Sequence, residues 1–411
     1  MLGHPQLVAD IIQEIHSSGP IPFARFMELA LYHPLFGYYM RFADKFDAEQ
    51  PDTGLGEDRI GWSGDYYTSC DVSPILAECL AKQIVQMDEL LGQPDPFTMI
   101  EMGAGKGVLA RDVLTACGRM SGSLSRRLRY VLIERSPMMQ ASQQRLLAPW
   151  IGEQGCVTWL NSLADVPAEY VEGLVFSNEL IDAFPVHRVR IVNGEPREVY
   201  VDYTGGRFCE DLRPCSPDVA RYLQQLAERE IVLAEGACAD INVQAVVWMQ
   251  DVARVLRRGF AVTIDYGHLA HDLYGPDRKQ GTLLCYYHHT ASDDPYQRVG
   301  LQDMTAHVDF STLAAVGETA GLQLSGLTNQ MSFLTSLGVE QVLATLEPGS
   351  AAFQSVLQLL RPNGMGSTFK ILIQHKGMAR ADHLDGLRFK PFFQSALGMP
   401  APVEPSASAS M

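Results

Sequence analysis

Apolar residues recur along this chain in two registers. Leu7, Ile11, Ile12 and Ile15 fall on one stripe of a helix, and after the break Ser17-Ser-Gly-Pro-Ile-Pro22 a second helical stripe runs through Phe23, Phe26, Leu29 and Ala30. A polar stretch follows over 44–58, then a long helix is expected over about 73–91, closed by Gln93-Pro-Asp-Pro96. Beyond it the register changes. Short continuous apolar runs at 98–102, 129–134, 157–160, 173–178 and 259–265 alternate with helical patterns, as in a parallel sheet covered on both faces. The segment 188–203 differs, because two alternating runs flank Asn193-Gly194, a hairpin signal. Helices are expected over 216–233 and 238–256, and 321–326 with 368–374 reads as a closing antiparallel pair. The tail 401–411, low in complexity, is expected to be disordered.

The first core run passes into Glu101-Met-Gly-Ala-Gly-Lys-Gly-Val108. Strand, glycine turn and helix in that order build a nucleotide-type cradle, since glycine allows a tight turn and close approach of a ligand. The third glycine comes one residue too early for a dinucleotide fingerprint, and no phosphate loop can be read here. An acid two residues before the first glycine suits a ligand bearing an ammonium group, such as S-adenosylmethionine. Gly103, Ala104, Gly105 and Gly107 are therefore candidate donor-binding positions with Glu101. The second run ends in Glu134, about 30 residues on, where a carboxylate can accept from both hydroxyls of an adenosine ribose. The usual separation is ~20, and the turn material at 118–126 accounts for the excess.

Two further strand tips bring acids together. Val175-Phe-Ser-Asn-Glu-Leu-Ile-Asp182 supplies Asn178, Glu179 and Asp182, and Ile264-Asp-Tyr-Gly-His268 supplies Asp265, Tyr266 and His268. In open α/β sheets the ligand lies beyond the carboxyl ends of the strands. Buried carboxylates at adjacent tips are costly without a cation, and a guanidinium or ammonium group would provide one. Asn178, Glu179, Asp182 and Asp265 are the candidate catalytic residues, with Glu179 and either Asp182 or Asp265 as the orienting pair. The alternative is that Asp182 caps a helix and Asp265 makes an Asx-turn. His289 and His307 read as polar wall residues or as satisfied structural histidines.

Composition narrows the function classes. The chain has 411 residues, 46 % of them hydrophobic, which permits a large core. A net charge of -16 argues against nucleic-acid binding, which uses a basic face, and favours a cationic partner. The eight cysteines include no Cys-x-x-Cys pair, and no metal site is expected. The N-terminus carries no signal or organelle presequence pattern, and no run is apolar enough to span a bilayer, so a cytoplasmic protein is expected.

Taken together, Leu31-Tyr-His-Pro-Leu-Phe-Gly-Tyr-Tyr39, Gly64-Asp-Tyr-Tyr-Thr-Ser69, the 101–107 turn, Asn178-Glu-Leu-Ile-Asp-Ala-Phe-Pro-Val186, Ile264-Asp-Tyr-Gly267, Thr305-Ala-His-Val-Asp-Phe310 and Met365-Gly-Ser-Thr-Phe-Lys370 resemble the MidA-like family, over about 20–374. The chain resembles its bacterial members. The resemblance implies an α/β, doubly wound, mostly parallel seven-stranded Rossmann-like methyltransferase sheet with an added N-terminal helical region and an insertion. It implies S-adenosyl-L-methionine as donor, with Gly64, Asp65 and Thr68 on a loop closing over it and Asn178 at the active-site tip. Mitochondrial members are protein-arginine methyltransferases acting on a core subunit of respiratory complex I, so a protein substrate with a target arginine is expected. One departure stands out: the family's Pro-Glu after the loop motif is Cys70-Asp71 here. The expected organisation is an N-terminal helical cap over 1–95 with a mobile loop at 44–71, then a methyltransferase core over 96–400 with an insertion at about 187–245. Homo-oligomerisation stays open, as do two other readings: a small-molecule methyltransferase and a non-catalytic, cofactor-binding assembly factor.

Overall fold

Seven strands carry the core of the chain in a computed structural model that describes residues 2–40, 69–153, 155–378 and 383–389. They are β1 (Phe97–Met102), β2 (Leu128–Ile133), β3 (Val157–Leu160), β4 (Val171–Asn178), β5 (Leu256–His268), β6 (Gln323–Asn329) and β7 (Phe369–Lys376). Their order in the sheet is β3-β2-β1-β4-β5-β7-β6. β1 pairs in parallel with β2 and β4, β2 with β3, and β4 with β5, whereas β7 runs antiparallel to both β5 and β6. A two-residue strand, Val308–Asp309, adds to the end of β5. The antiparallel closing pair foreseen near 321–326 and 368–374 is β6 with β7.

The continuous apolar runs have a simple cause. Helix Ile75–Leu90 and helix Val108–Met120 cover one face of the sheet, and helices Val243–Val255 and Phe310–Thr319 cover the other. A strand buried on both faces has no polar alternation to show. Two helix expectations change in detail. The long helix expected over about 73–91 is Ile75–Leu90, and a separate short turn, Ser69–Val72, precedes it. The helix expected over 238–256 begins later. Cys238–Ile241 is a strand paired with His187–Val192, and Asn242 then caps helix Val243–Val255 by accepting from the Ala245 N–H at 2.9 Å.

The segment after β4 builds a second sheet. His187–Val192 and Glu195–Thr204 form the expected hairpin, with Asn193 at φ 54° and Gly194 at φ 77°, the left-handed pair that a two-residue turn of this kind requires. Arg207–Pro214 pairs with Glu195–Thr204 on the far side. Ile21–Pro22, between helices Pro5–Ser18 and Phe23–Tyr32, also pairs with it, Ile21 opposite Val201. The first two helices therefore share a core with the insertion: Phe26, Met27 and Leu31 pack with Val199, Val201 and Phe208. A small third sheet, Leu284–Tyr287, Thr290–Ser292 and Asp303–Thr305, leans on the same cluster and on the segment after β4. Most of the 44–71 loop and all of the 401–411 tail lie outside the described residues.

Candidate active site

The tips of β1, β2, β4 and β5 open into a cavity of about 940 Å³, at the upper end of the range typical of small-molecule sites. Its floor is the glycine turn. Gly103, Gly105 and Gly107 all adopt positive φ, at 75°, 52° and 87°. Gly103, Ala104 and Gly105 line the cavity, while Gly107 lies behind it and starts helix Val108–Met120. A Cβ on Gly103 would come within 2.7 Å of the Leu180 side chain, and one on Gly105 would meet no atom of the described residues within 4 Å. The backbone is thus bare toward the cavity.

Two carboxylates flank this floor. Glu101, 2 % exposed, accepts from the Tyr130 hydroxyl at 2.6 Å, and burial raises its carboxyl to about 7 despite that hydrogen bond. Glu134 accepts from the Ser136 N–H at 2.8 Å and from Gln143 Nε2 at 3.0 Å, with burial again raising its pKa. Gln143 is a residue that sequence reasoning missed. Fully buried, it also donates to the Gly105 carbonyl at 2.7 Å and accepts from Trp159 Nε1 at 2.8 Å, tying the glycine turn to Glu134. Nothing in its helical pattern distinguishes it from any surface glutamine.

The segment after β4 forms the next wall. Glu179 holds a left-handed backbone, φ 51°, and its N–H donates to the Ile264 carbonyl at 2.9 Å. Such a conformation costs a side-chain-bearing residue ~1–3 kcal/mol and is concentrated at functional sites. Its Oε1 accepts from the Ser69 N–H at 2.9 Å and from Asn178 Nδ2 at 3.2 Å. Asn178 Oδ1 and Asp182 Oδ1 are buried acceptors without a hydrogen-bond partner among the described residues. Asp182 Oδ2 takes the hydroxyl of Tyr266, and burial lifts this carboxyl to about 6.

Asp265 needs correcting. It does not line the cavity. Its Oδ2 accepts from the N–H groups of Leu180, Ile181 and Asp182 at 3.2, 2.9 and 3.4 Å, and its Oδ1 from Tyr266 N–H at 2.9 Å. Fully buried beside Asp182, its carboxyl is pushed well up. Asp265 therefore fixes the 180–182 turn, and its lone pairs are committed to backbone rather than to a substrate cation.

The opposite wall comes from the first helices and the third sheet. Tyr32 and Tyr39 stack at 5.4 Å between centroids; Tyr32 donates to the Ala183 carbonyl at 3.0 Å and Tyr39 to Asp303 Oδ1 at 2.6 Å. Tyr286, His289 and His307 also line the cavity. His307 stands edge-on to Tyr266 at 5.5 Å and is held neutral by burial, its pKa lowered to about 4. Gly64, Asp65 and Thr68 lie outside the described residues. No group of three or more His, Cys, Asp or Glu suited to a metal occurs among the described residues, and no described helix is long and apolar enough to cross a membrane.

The donor set fits S-adenosylmethionine: a bare glycine turn, two carboxylates for hydroxyl and ammonium donors, and a buried amide oxygen without a partner among the described residues. Comparisons agree. A family model described as S-adenosyl-L-methionine-dependent methyltransferase matches residues 79–328. The chain is 28 % identical over 416 residues to the mitochondrial protein arginine methyltransferase NDUFAF7 homolog of Drosophila melanogaster, covering 93 % of this chain and 87 % of that protein. It is 28 % identical over 395 residues to mitochondrial protein arginine methyltransferase NDUFAF7 of Mus musculus, covering 88 % and 83 %. A protein from Burkholderia thailandensis, solved with S-adenosyl-homocysteine bound, superposes with a TM-score of 0.82 at 32 % identity, over 95 % of this chain and 96 % of that one.

Proposed function

Because the chain belongs to this family of S-adenosyl-L-methionine-dependent methyltransferases, we propose that its methyl acceptor is an arginine side chain of a protein substrate. The observation that carries this reading is Asp182 Oδ1, a carboxylate oxygen in a residue 4 % exposed, on the cavity wall, without a partner among the described residues. A buried acceptor of this kind costs stability until a donor reaches it. Glu179 stands three residues away on the same wall, and tyrosines 32, 39, 266 and 286 supply flat aromatic surface around it. Carboxylates with aromatic faces suit a planar guanidinium, which offers N–H donors in a fixed fork and favours stacking. The names of the fly and mouse relatives point the same way. The net charge of -16 suits a basic protein partner, for which a respiratory complex I subunit is the class the family resemblance suggests.

The donor, consumed as a co-substrate, supplies an electrophilic methyl group on a sulfonium. The chain's own residues do the rest. Gly103 to Gly105 give the backbone platform, Glu101 and Glu134 receive polar hydrogens, and Glu179 with Asp182 orients the acceptor. Positioning of this kind can supply ~7–11 kcal/mol of the acceleration in favourable cases. Incubating a lysate with the pure protein and methyl-labelled donor, then hydrolysing the protein fraction, tests the reading. Label is expected in methylarginine. Label confined to small molecules, or to a different amino acid, would overturn the arginine assignment while leaving the methyltransferase intact.

A further inference from the structure

Asp182 is gripped from two sides by consecutive residues of β5. Asp265 accepts from its backbone N–H at 3.4 Å, and the Tyr266 hydroxyl donates to Oδ2 of its side chain. The Ala306 N–H adds a 2.8 Å hydrogen bond to its carbonyl. Among the described residues, none of these contacts engages Oδ1. A carboxylate with one oxygen holding a hydroxyl donor and the other without a hydrogen-bond partner among the described residues is set up to receive one hydrogen, at one atom.

We propose that Asp182 Oδ1 is the proton acceptor of methyl transfer and that Tyr266 is the residue positioning it; this rests on the reading that the acceptor is an N–H nucleophile. The acceptor nitrogen forms its bond to the methyl carbon at the expense of the S–C bond, whose electron pair stays on sulfur. The same nitrogen then carries one proton too many. Its N–H bond breaks, Oδ1 gains the proton, and Tyr266 keeps its own. Asp182 ends neutral until solvent removes the proton.

The surroundings suit a base of this kind. Asp265 and Tyr266 face Asp182 from β5, Tyr32 from helix Phe23–Tyr32, Tyr286 from strand Leu284–Tyr287, and Glu179 precedes it on its own segment. Strand Asp303–Thr305 packs against the same turn, bringing Asp303 near, and His307 stands against Tyr266. Among the described residues, the cations that line the cavity, Lys106 and Arg135, stand on the glycine turn and beside Glu134 at the tip of β2. Burial lifts the carboxyl to about 6, close to the pH at which a general base works best, while the Tyr266 hydrogen bond, and after it the backbone N–H groups of Ala183 and of Asp182 itself, keep it from rising further.

The first arm of the test reads Asp182 itself and needs no acceptor. Protein labelled at aspartate carboxyl carbons is titrated by NMR, the Asp182 signal being assigned by its loss in Asp182→Asn. The wild-type midpoint is expected near 6. Tyr266→Phe removes a hydrogen bond to the charged form, so the midpoint should rise by about one to two pH units. The acid limb of the rate profile should move up with it. Replacing Tyr266 by 3-fluorotyrosine, which preserves shape and strengthens the donor, should lower the midpoint, and serves if the phenylalanine variant does not fold. A midpoint unchanged by either replacement, or one at the ordinary aspartate value, would overturn the proposal. Failure to find methylarginine in a lysate would leave this titration unaffected, so the two readings fail separately.

Discussion

At the scale of single residues, the account rests on carboxylates whose surroundings differ. Glu134 is held by Ser136 and Gln143 at the tip of β2. Removing it in Glu134→Ala should weaken binding of S-adenosyl-homocysteine by ten- to a hundredfold, since hydrogen bonds to a charged group contribute ~1.5–3 kcal/mol. Calorimetry on the two proteins decides this, and equal affinity would remove Glu134 from the donor site. Glu101 offers a pH test. Its carboxyl, raised by burial to about 7, stays protonated in the folded protein after the unfolded chain has lost its proton near the ordinary value of 4.5. The native state then binds more protons than the unfolded one, so this group's contribution to stability falls as pH rises from 4.5 to 7. Glu101→Gln abolishes the effect. Without ligand, the melting temperature of the variant relative to wild type should be higher at pH 8 than at pH 5, and an equal difference at both would show that Glu101 ionises normally.

At the scale of elements, the glycine turn and the segment after β4 are coupled through Leu180. Gly103→Ala places a Cβ 2.7 Å from Leu180 Cδ1 on a backbone at φ 75°. The left-handed conformation alone costs ~1–2 kcal/mol in an L-residue. Both stability and donor affinity should fall, by thermal melts and calorimetry, with Leu180 moving beside Glu179; normal values for both would mean the turn is free to relax. Much of this layout was legible in the chain. Core strands buried on both faces show as unbroken apolar runs, and acids at their ends mark the tips. Asn193-Gly194 announced its hairpin because few residues accept that turn. Cys238–Ile241 was not legible, since four residues, three of them apolar, before a helix fit a strand or the helix's own first turn equally well. Nor was the orientation of Asp265. A carboxylate at a strand tip reads alike whether it faces a ligand or three backbone N–H groups. Gln143 and the Tyr32–Tyr39 wall depend on contacts between distant segments, which no local pattern encodes.

At the scale of the whole molecule, the cavity is shared between two bodies of packing. The sheet and its helices supply the donor side through Glu101, the glycine turn and Glu134, while the N-terminal segment, packed on the insertion, and the third sheet supply Tyr32, Tyr39, Tyr286 and Asp303. The segment 178–182 lies at their junction, with Glu179 bonded back to β5 and the carbonyl of Ala183 receiving Tyr32. Donor binding and acceptor handling should therefore separate under mutation. The most direct measurement is the rate of methyl transfer to lysate protein by Glu179→Gln, per folded and donor-saturated molecule, beside its affinity for S-adenosyl-homocysteine. The expected result is affinity within about threefold of wild type with the rate lowered by ~10²–10³, as for loss of one electrostatic contact in a water-poor site. An undiminished rate, or a loss of donor affinity as large as the loss of rate, would contradict the assignment of this wall to the acceptor.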